Sequence, residues 1–132
     1  MQRPSWNLLK ERWGNLFFFD SLSLFLSRLH EEREKTLTGV ILFDPYGKGI
    51  PPKYPPLHVA VIYREDQEFI KKALKLRGLD HDGIIEPLAY GIGTVKKMIK
   101  RNNPIARQLL NGIVLYELNS GLKELEVPLR EV

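Results

Sequence analysis

The spacing of apolar residues changes several times along the chain, and each spacing predicts a different element. Between Phe18 and Leu29 apolar residues recur every three or four positions, which gives one apolar face and predicts an amphipathic helix. Short β-branched runs that end in turn residues, such as 38–43, predict buried strands. The predicted helices cover about 5–13, 20–35, 64–77, 94–101 and 103–111, and the predicted strands cover about 38–43, 57–63, 84–88 and 113–118.

The order of these elements predicts an α/β (α+β) protein in which helices pack on a mixed β-sheet of about four to five strands. A chain of 132 residues suits a single domain. We divide this domain into N-terminal helices at 1–36, a core at 37–118, and a C-terminal hairpin or surface tail at 119–132.

Composition excludes several classes of protein. The chain has no cysteine, which excludes disulfides, thiolate nucleophiles and cysteine-based zinc sites, and which is compatible with a thermophilic source. No apolar run reaches the roughly 18 residues that span a bilayer. Charged residues at 10–12 also interrupt the place of a signal peptide. We therefore expect a cytoplasmic protein without membrane contact.

Basic residues give the chain a net charge of +4, which permits contact with nucleic acid or an acidic partner without requiring either. The densest group is Lys96, Lys97, Lys100 and Arg101, which share one side of a predicted helix. This group could contact a nucleic-acid backbone, but no stacking aromatics or known nucleic-acid motif accompany it. A solvated helix surface is the alternative interpretation.

Two further features suggest sites but also have structural explanations. The three histidines are not at metal-ligand spacing from one another, and no Ser/His/Asp grouping is visible. The turn at 90–94 contains two glycines and precedes a basic helix, so its amides could bind a phosphate. A helix cap by Thr94 would explain the same residues.

The stretch 40–49 (Val-Ile-Leu-Phe-Asp-Pro-Tyr-Gly-Lys-Gly) resembles the strand-and-turn signature of the minimal nucleotidyltransferases, in the DNA-polymerase-beta-like superfamily. That signature reads apolar strand, Phe-Gly-Ser, aromatic, small, basic, Gly, and it is matched by Phe43, Tyr46, Lys48 and Gly49. A second stretch, 102–116, resembles the closing helix and strand of the family. Together the two stretches cover about 37–118, and the resemblance implies a nucleotidyltransferase-like fold.

The chain departs from the family signature at the positions that carry its chemistry. Asp44 stands in place of the Gly and Pro45 in place of the Ser, while Pro56 and His58 stand where the two aspartates of Asp-x-Asp belong. The family holds two magnesium ions with carboxylate ligands. Pro56 offers no ligand, and a histidine nitrogen suits transition metals better than magnesium. We therefore expect no catalytic residues, no bound metal and no cofactor, and we interpret Asp44, Pro45, Lys48, Gly49, Pro56 and His58 as a vestigial site.

Three hypotheses for function follow. The leading one is a non-catalytic nucleotidyltransferase-fold protein that acts by binding; the resemblance implies a HEPN-type partner in a prokaryotic toxin–antitoxin-like pair, and a homo-oligomer is also open. The second is an unorthodox nucleotidyltransferase that uses magnesium and a nucleoside triphosphate, or another metal, in a site rebuilt from Asp44, His58 and Asp82 or Glu86. The third is a nucleic-acid-binding module that uses the basic helix.

Overall fold

A computed structural model describes residues 1–66, 68–80 and 82–126. Ser5 and Asn103 cap their helices, and the second strand has the predicted bounds. The helices are α1 (Trp6–Trp13), α2 (Phe19–Glu31), α3 (Phe69–Arg77), α4 (Ile92–Lys100) and α5 (Pro104–Leu110); the strands are β1 (Leu37–Phe43), β2 (Leu57–Tyr63), β3 (Ile85–Gly91) and β4 (Ile113–Glu117); and a 3₁₀ helix covers Gly121–Leu125.

The four strands form one mixed sheet in the order β3-β2-β1-β4. β1 is antiparallel to both of its neighbours, whereas β2 and β3 are parallel and are joined through α3. A parallel pair needs such a crossover connection, because the chain must return to the starting end of the sheet. The arrangement confirms the predicted α+β class and is consistent with a nucleotidyltransferase-like fold.

The sheet is buried on both faces. Side chains alternate between the faces of a strand, so β2 sends Val59 and Val61 to one core and Ala60 and Ile62 to the other. The first core contains buried residues of α1, α2 and α3. The second core contains buried residues of α4, α5 and the 3₁₀ helix. Because helices cover both faces of the sheet, β1 and nearly all of β2 are buried, and neither strand shows the alternating polar positions of a strand with one face in water.

Two helices are shorter than their sequence patterns predict. α2 ends at Glu31 rather than near residue 35, and Arg33 two residues later has a left-handed backbone with φ +52°. α3 begins at Phe69 rather than at residue 64, so the predicted start is wrong, and Glu65 and Asp66 lie before the helix rather than in its first turn. In both places an acidic side chain next to the helix contacts a residue of another element: Glu34 pairs with Lys72, and Asp66 accepts a hydrogen bond from Thr94.

β3 is longer than predicted and runs to Gly91, where it pairs with Tyr63 at the end of β2. α4 therefore begins directly at Ile92, with Gly91 in the N-cap position. The prediction that Thr94 caps this helix is wrong, because Thr94 lies inside it. Pro87 is tolerated in the strand because β3 is an edge strand.

The described part of the C-terminal segment is neither a hairpin nor a surface tail. Leu122 and Leu125 of the 3₁₀ helix are buried in the second core. Residues 127–132, which complete the predicted segment, lie outside the described residues. In the part of the chain that the structure describes, every helix is too short or too polar to cross a bilayer.

Candidate binding site in the loop between β1 and β2

The loop 44–56 leaves β1 and returns to β2 at one end of the sheet, where Phe43 and His58 are register partners. It encloses a cleft of about 460 Å³. The polar and aromatic side chains of this cleft are those of Phe43, Asp44, Tyr46, Lys48, Lys53, Tyr54 and His58, and Pro56 also lines it.

Asp44 begins the loop, and its carboxylate is used by the loop itself. One carboxylate oxygen accepts a hydrogen bond from the backbone N–H of Tyr46 at 3.0 Å, and the other accepts one from the N–H of Gly49. This geometry is that of an Asp that organises a turn through its own backbone neighbours. Gly49 has φ +110°, a conformation that side chains other than hydrogen rarely permit. Pro45, which follows Asp44, has no N–H to offer a ligand.

His58 is the titratable group at the base of the cleft. Its ring meets the ring of Tyr46 edge to face at 5.6 Å and that of Phe43 at 6.2 Å. Burial lowers the pKa of His58 below its ordinary value, while the negative charges of Glu86 and Asp44 act in the opposite direction. The net shift favours the neutral imidazole, which can donate one hydrogen bond and accept another.

The cleft gathers most of the predicted site residues but not all of the acidic ones. Glu86 lies on β3 beside His58 in the strand register, and its carboxylate forms an ion pair with Arg77 of α3. Asp82 is directed elsewhere, because it accepts a hydrogen bond of 3.1 Å from the hydroxyl of Ser21 on α2. α2 packs on the face of the sheet opposite to the one that carries His58.

These donors do not fit the two-magnesium centre that the family resemblance implies. The carboxylate of Asp44 already accepts two amide hydrogens, Glu86 is paired with a guanidinium, and Pro56 has no ligand atom. Within the described residues, no three His, Asp or Glu side chains are arranged to hold a metal ion. Magnesium requires several hard oxygen ligands, and this cleft does not present them.

A second cleft of about 330 Å³ adjoins the first, and the two share Asp44, Gly49 and Ile50. Its remaining polar side chains are the amides of Gln2, Gln108 and Asn111. The loop approaches α5 closely here, since a Cβ added at Gly47 would lie 3.6 Å from Nε2 of Gln108. The loop surface is therefore continuous with the end of α5.

Only some of the basic side chains of α4 are available to bind a ligand. Lys96 forms an ion pair of 2.6 Å with Glu124 of the 3₁₀ helix, so it contributes to the fold. Lys97, Lys100 and Arg101 are exposed; the helix ends at Lys100, and Arg101 is its C-cap. None of these three has an ion-pair partner within residues 1–66, 68–80 and 82–126.

The predicted phosphate turn at 90–94 is occupied by a protein carboxylate. Asp66 accepts a hydrogen bond of 2.7 Å from the hydroxyl of Thr94 at the start of α4. A Cβ added at Gly91 would lie 2.0 Å from an oxygen of the same carboxylate. Asp66 therefore takes the place near the helix N-terminus that an anion would need.

Lys53 and Tyr54 line the cleft, although neither was predicted to be a site residue. Tyr54 is 79% exposed and Tyr46 73% exposed, so neither ring belongs to a core. The signal was present in the sequence: two tyrosines flank two lysines, in the order Tyr46, Lys48, Lys53 and Tyr54, in a loop rich in proline and glycine where apolar packing does not explain the aromatics. Of the three histidines that were considered as metal ligands, His81 lies outside the described residues.

Comparison with protein-family models, with curated protein sequences and with solved structures finds no match to this chain. The family resemblance therefore depends on the two sequence stretches 40–49 and 102–116, together with the α+β fold.

Proposed function

We propose that this chain is a non-catalytic protein of nucleotidyltransferase-like fold that acts by binding, and that the loop 44–56 forms its binding surface. The observation that carries the proposal is the carboxylate of Asp44. Both of its oxygens accept hydrogen bonds from backbone amides of its own loop, so the acidic residue that lines this cleft stabilises a turn.

The surrounding residues support the same function. His58 favours its neutral form, and the exposed tyrosines and lysines of the loop are suited to contact a ligand rather than to transfer a group. The resemblance makes a HEPN-type helical protein one candidate partner, in a prokaryotic and cytoplasmic setting. The proposal includes no cofactor.

Thermal unfolding with and without ATP, GTP, CTP and UTP, each with magnesium and then manganese, tests whether the chain has the metal-dependent nucleotide binding that a nucleotidyltransferase site needs. A ligand at about 100 times its dissociation constant stabilises a fold by roughly 2.7 kcal/mol, which raises the midpoint by several degrees. We expect no metal-dependent rise. A rise that requires the metal and disappears in His58→Ala would contradict the proposal and favour a rebuilt nucleotidyltransferase site. Lys10→Ala, on the opposite face of the sheet, is the matched control.

A further inference from the structure

We propose that the loop 44–56 binds single-stranded nucleic acid, with bases stacked on Tyr46 and Tyr54 and phosphates bound by Lys48 and Lys53. The inference rests on the proposed function, because it names the ligand class of the same surface. It assigns this role to the loop rather than to the basic helix α4.

The cleft presents two exposed aromatic rings. Tyr46 and Tyr54 are more exposed than any other large apolar or aromatic side chain among the described residues, and both line the cleft of about 460 Å³. Exposed aromatic rings bind single strands because every base presents a π-face on which they can stack. The prolines of the loop restrict its backbone, so less conformational freedom is lost on binding.

The cleft also carries exposed positive charge. Lys48 and Lys53 are exposed and have no ion-pair partner in the described part of the chain. On α3, by contrast, both Lys72 and Lys75 face Glu34. The negative charge of Asp44 is directed at two backbone amides, so the free charges at the cleft are positive. Unpaired lysines of this kind attract phosphates.

The closeness of the lysines to the exposed tyrosines favours nucleic acid over a protein partner. Lys48 Nζ lies over one face of the Tyr46 ring, 6.0 Å from its centre, so a cation and an aromatic surface are presented together and the other face of the ring remains for stacking. Lysine is depleted in the cores of protein–protein interfaces, where tyrosine is enriched. Lysines next to exposed tyrosines are instead typical of surfaces that follow a charged backbone and stack its bases.

The adjoining cleft extends the surface beyond a single nucleotide. Gln2, Gln108 and Asn111 carry amide groups that both donate and accept hydrogen bonds, as base edges do. Arg107 is exposed beside Gln108 on α5. The two clefts share Asp44, Gly49 and Ile50, so a strand bound at the tyrosines can continue toward α5.

Fluorescence anisotropy with labelled oligouridine and oligothymidine of about 12 nucleotides tests the inference. We expect binding that weakens between about 50 and about 200 mM salt. Tyr46→Ala and Tyr54→Ala should each weaken binding by roughly 5- to 150-fold, which corresponds to the stacking of one base. Tyr46→Phe and Tyr54→Phe keep the ring and should bind like the parent chain.

The lysines are tested by the salt dependence of binding. The double variant Lys48→Gln, Lys53→Gln should reduce the slope of log affinity against log salt by about 0.7 per lysine. The double variant Lys10→Gln, Lys35→Gln removes the same charge from exposed positions outside the loop and should leave the slope unchanged. Because all four lysines are exposed, circular dichroism should report an unchanged fold.

Three outcomes overturn the inference. They are the absence of binding to either oligonucleotide at low salt, unchanged affinity in both Tyr→Ala variants, and loss of binding only in the variant Lys97→Gln, Lys100→Gln, Arg101→Gln. The first outcome leaves a protein as the occupant of the loop surface, and the last transfers the site to α4. None of them depends on a nucleoside triphosphate or a metal, so they are distinguishable from failure of the proposed function.

Discussion

The hydroxyl of Thr94 donates a hydrogen bond of 2.7 Å to the carboxylate of Asp66, and this contact joins the segment after β2 to the start of α4. The contact explains one departure from the sequence patterns and the presence of one glycine. Asp66 is drawn away from α3, so that helix begins at Phe69. Gly91 is required where the two segments meet, because an added Cβ would lie 2.9 Å from Cα of Asp66.

Asp66→Ala should lower the free energy of unfolding by about 1 kcal/mol, through loss of the hydrogen bond and of a negative charge near a helix N-terminus. Urea unfolding at neutral pH measures the change. Glu65→Ala removes an equal charge from the adjacent exposed position and should have almost no effect. Equal losses in the two variants would show that the contact contributes nothing beyond general charge.

Lys72 should contribute more to stability than any other lysine of α3. Its ammonium is paired with Glu34 and lies 5.0 Å from the centre of the Tyr63 ring, and its side chain is only 12% exposed. Lys72→Met should lower the free energy of unfolding by about 1–3 kcal/mol, because it leaves a partly buried carboxylate with only the more distant ammonium of Lys75, at 3.8 Å. Lys71→Met is the control, since Lys71 is 84% exposed and pairs only with Glu68 at 3.6 Å. A loss below about 0.5 kcal/mol in Lys72→Met would contradict this role.

The same pair predicts a pH dependence. The hydrogen bond from Lys72 holds the pKa of Glu34 below its ordinary value of 4.5. Because the folded pKa is the lower one, the stabilisation is present above that ordinary value and is lost as pH falls through the folded pKa. The stability difference between the parent chain and Glu34→Gln should therefore shrink as pH falls below 4.5. A difference that stays constant as pH falls below this value would contradict the assignment.

Gly112→Ala should be strongly destabilising, whereas Gly93→Ala should not. An added Cβ at Gly112 would lie 2.6 Å from the carbonyl oxygen of Leu42, so the connection from α5 to β4 would have to move away from β1. We expect a loss of about 1–3 kcal/mol. At Gly93 in α4 nothing lies within 4 Å of the added Cβ, and alanine should stabilise the helix by up to about 1 kcal/mol. Thermal unfolding of the two variants measures both changes, and similar midpoints would contradict the packing.

His58 should titrate below its ordinary pKa of 6.5 in the folded chain, because burial disfavours the imidazolium. The unfolded state then binds more protons just below that value, so stability falls as pH falls through this range. Glu86→Gln removes a negative charge that favours the imidazolium and should lower the pKa of His58 further. Arg77→Gln removes the positive partner of Glu86 and should raise it. Proton NMR of the imidazole signals measures all three, and an unchanged pKa in Glu86→Gln would contradict the coupling.

Much of the candidate site could be placed from the sequence. The family-like signature located Asp44, Lys48, Gly49 and His58 in one loop and strand, and the structure brings them to one cleft. The signature did not indicate that Asp82 would contact Ser21, because the packing of that loop on α2 depends on residues more than sixty positions apart. Tyr54 was missed because it lies outside the motif.

The sequence by itself determined the class of the fold and the identity of most elements, because apolar periodicity reports which side chains must leave water. It also determined local caps such as Ser5 and Asn103, whose hydrogen bonds reach only three or two residues along the chain. Tertiary structure decided where α2 ends and α3 begins, since Glu34 and Asp66 bind groups that lie 38 and 28 residues away. It also decided the burial of Leu122 and Leu125, because a short apolar pair at the end of a chain becomes core only when α4 and β1 provide a surface to cover it.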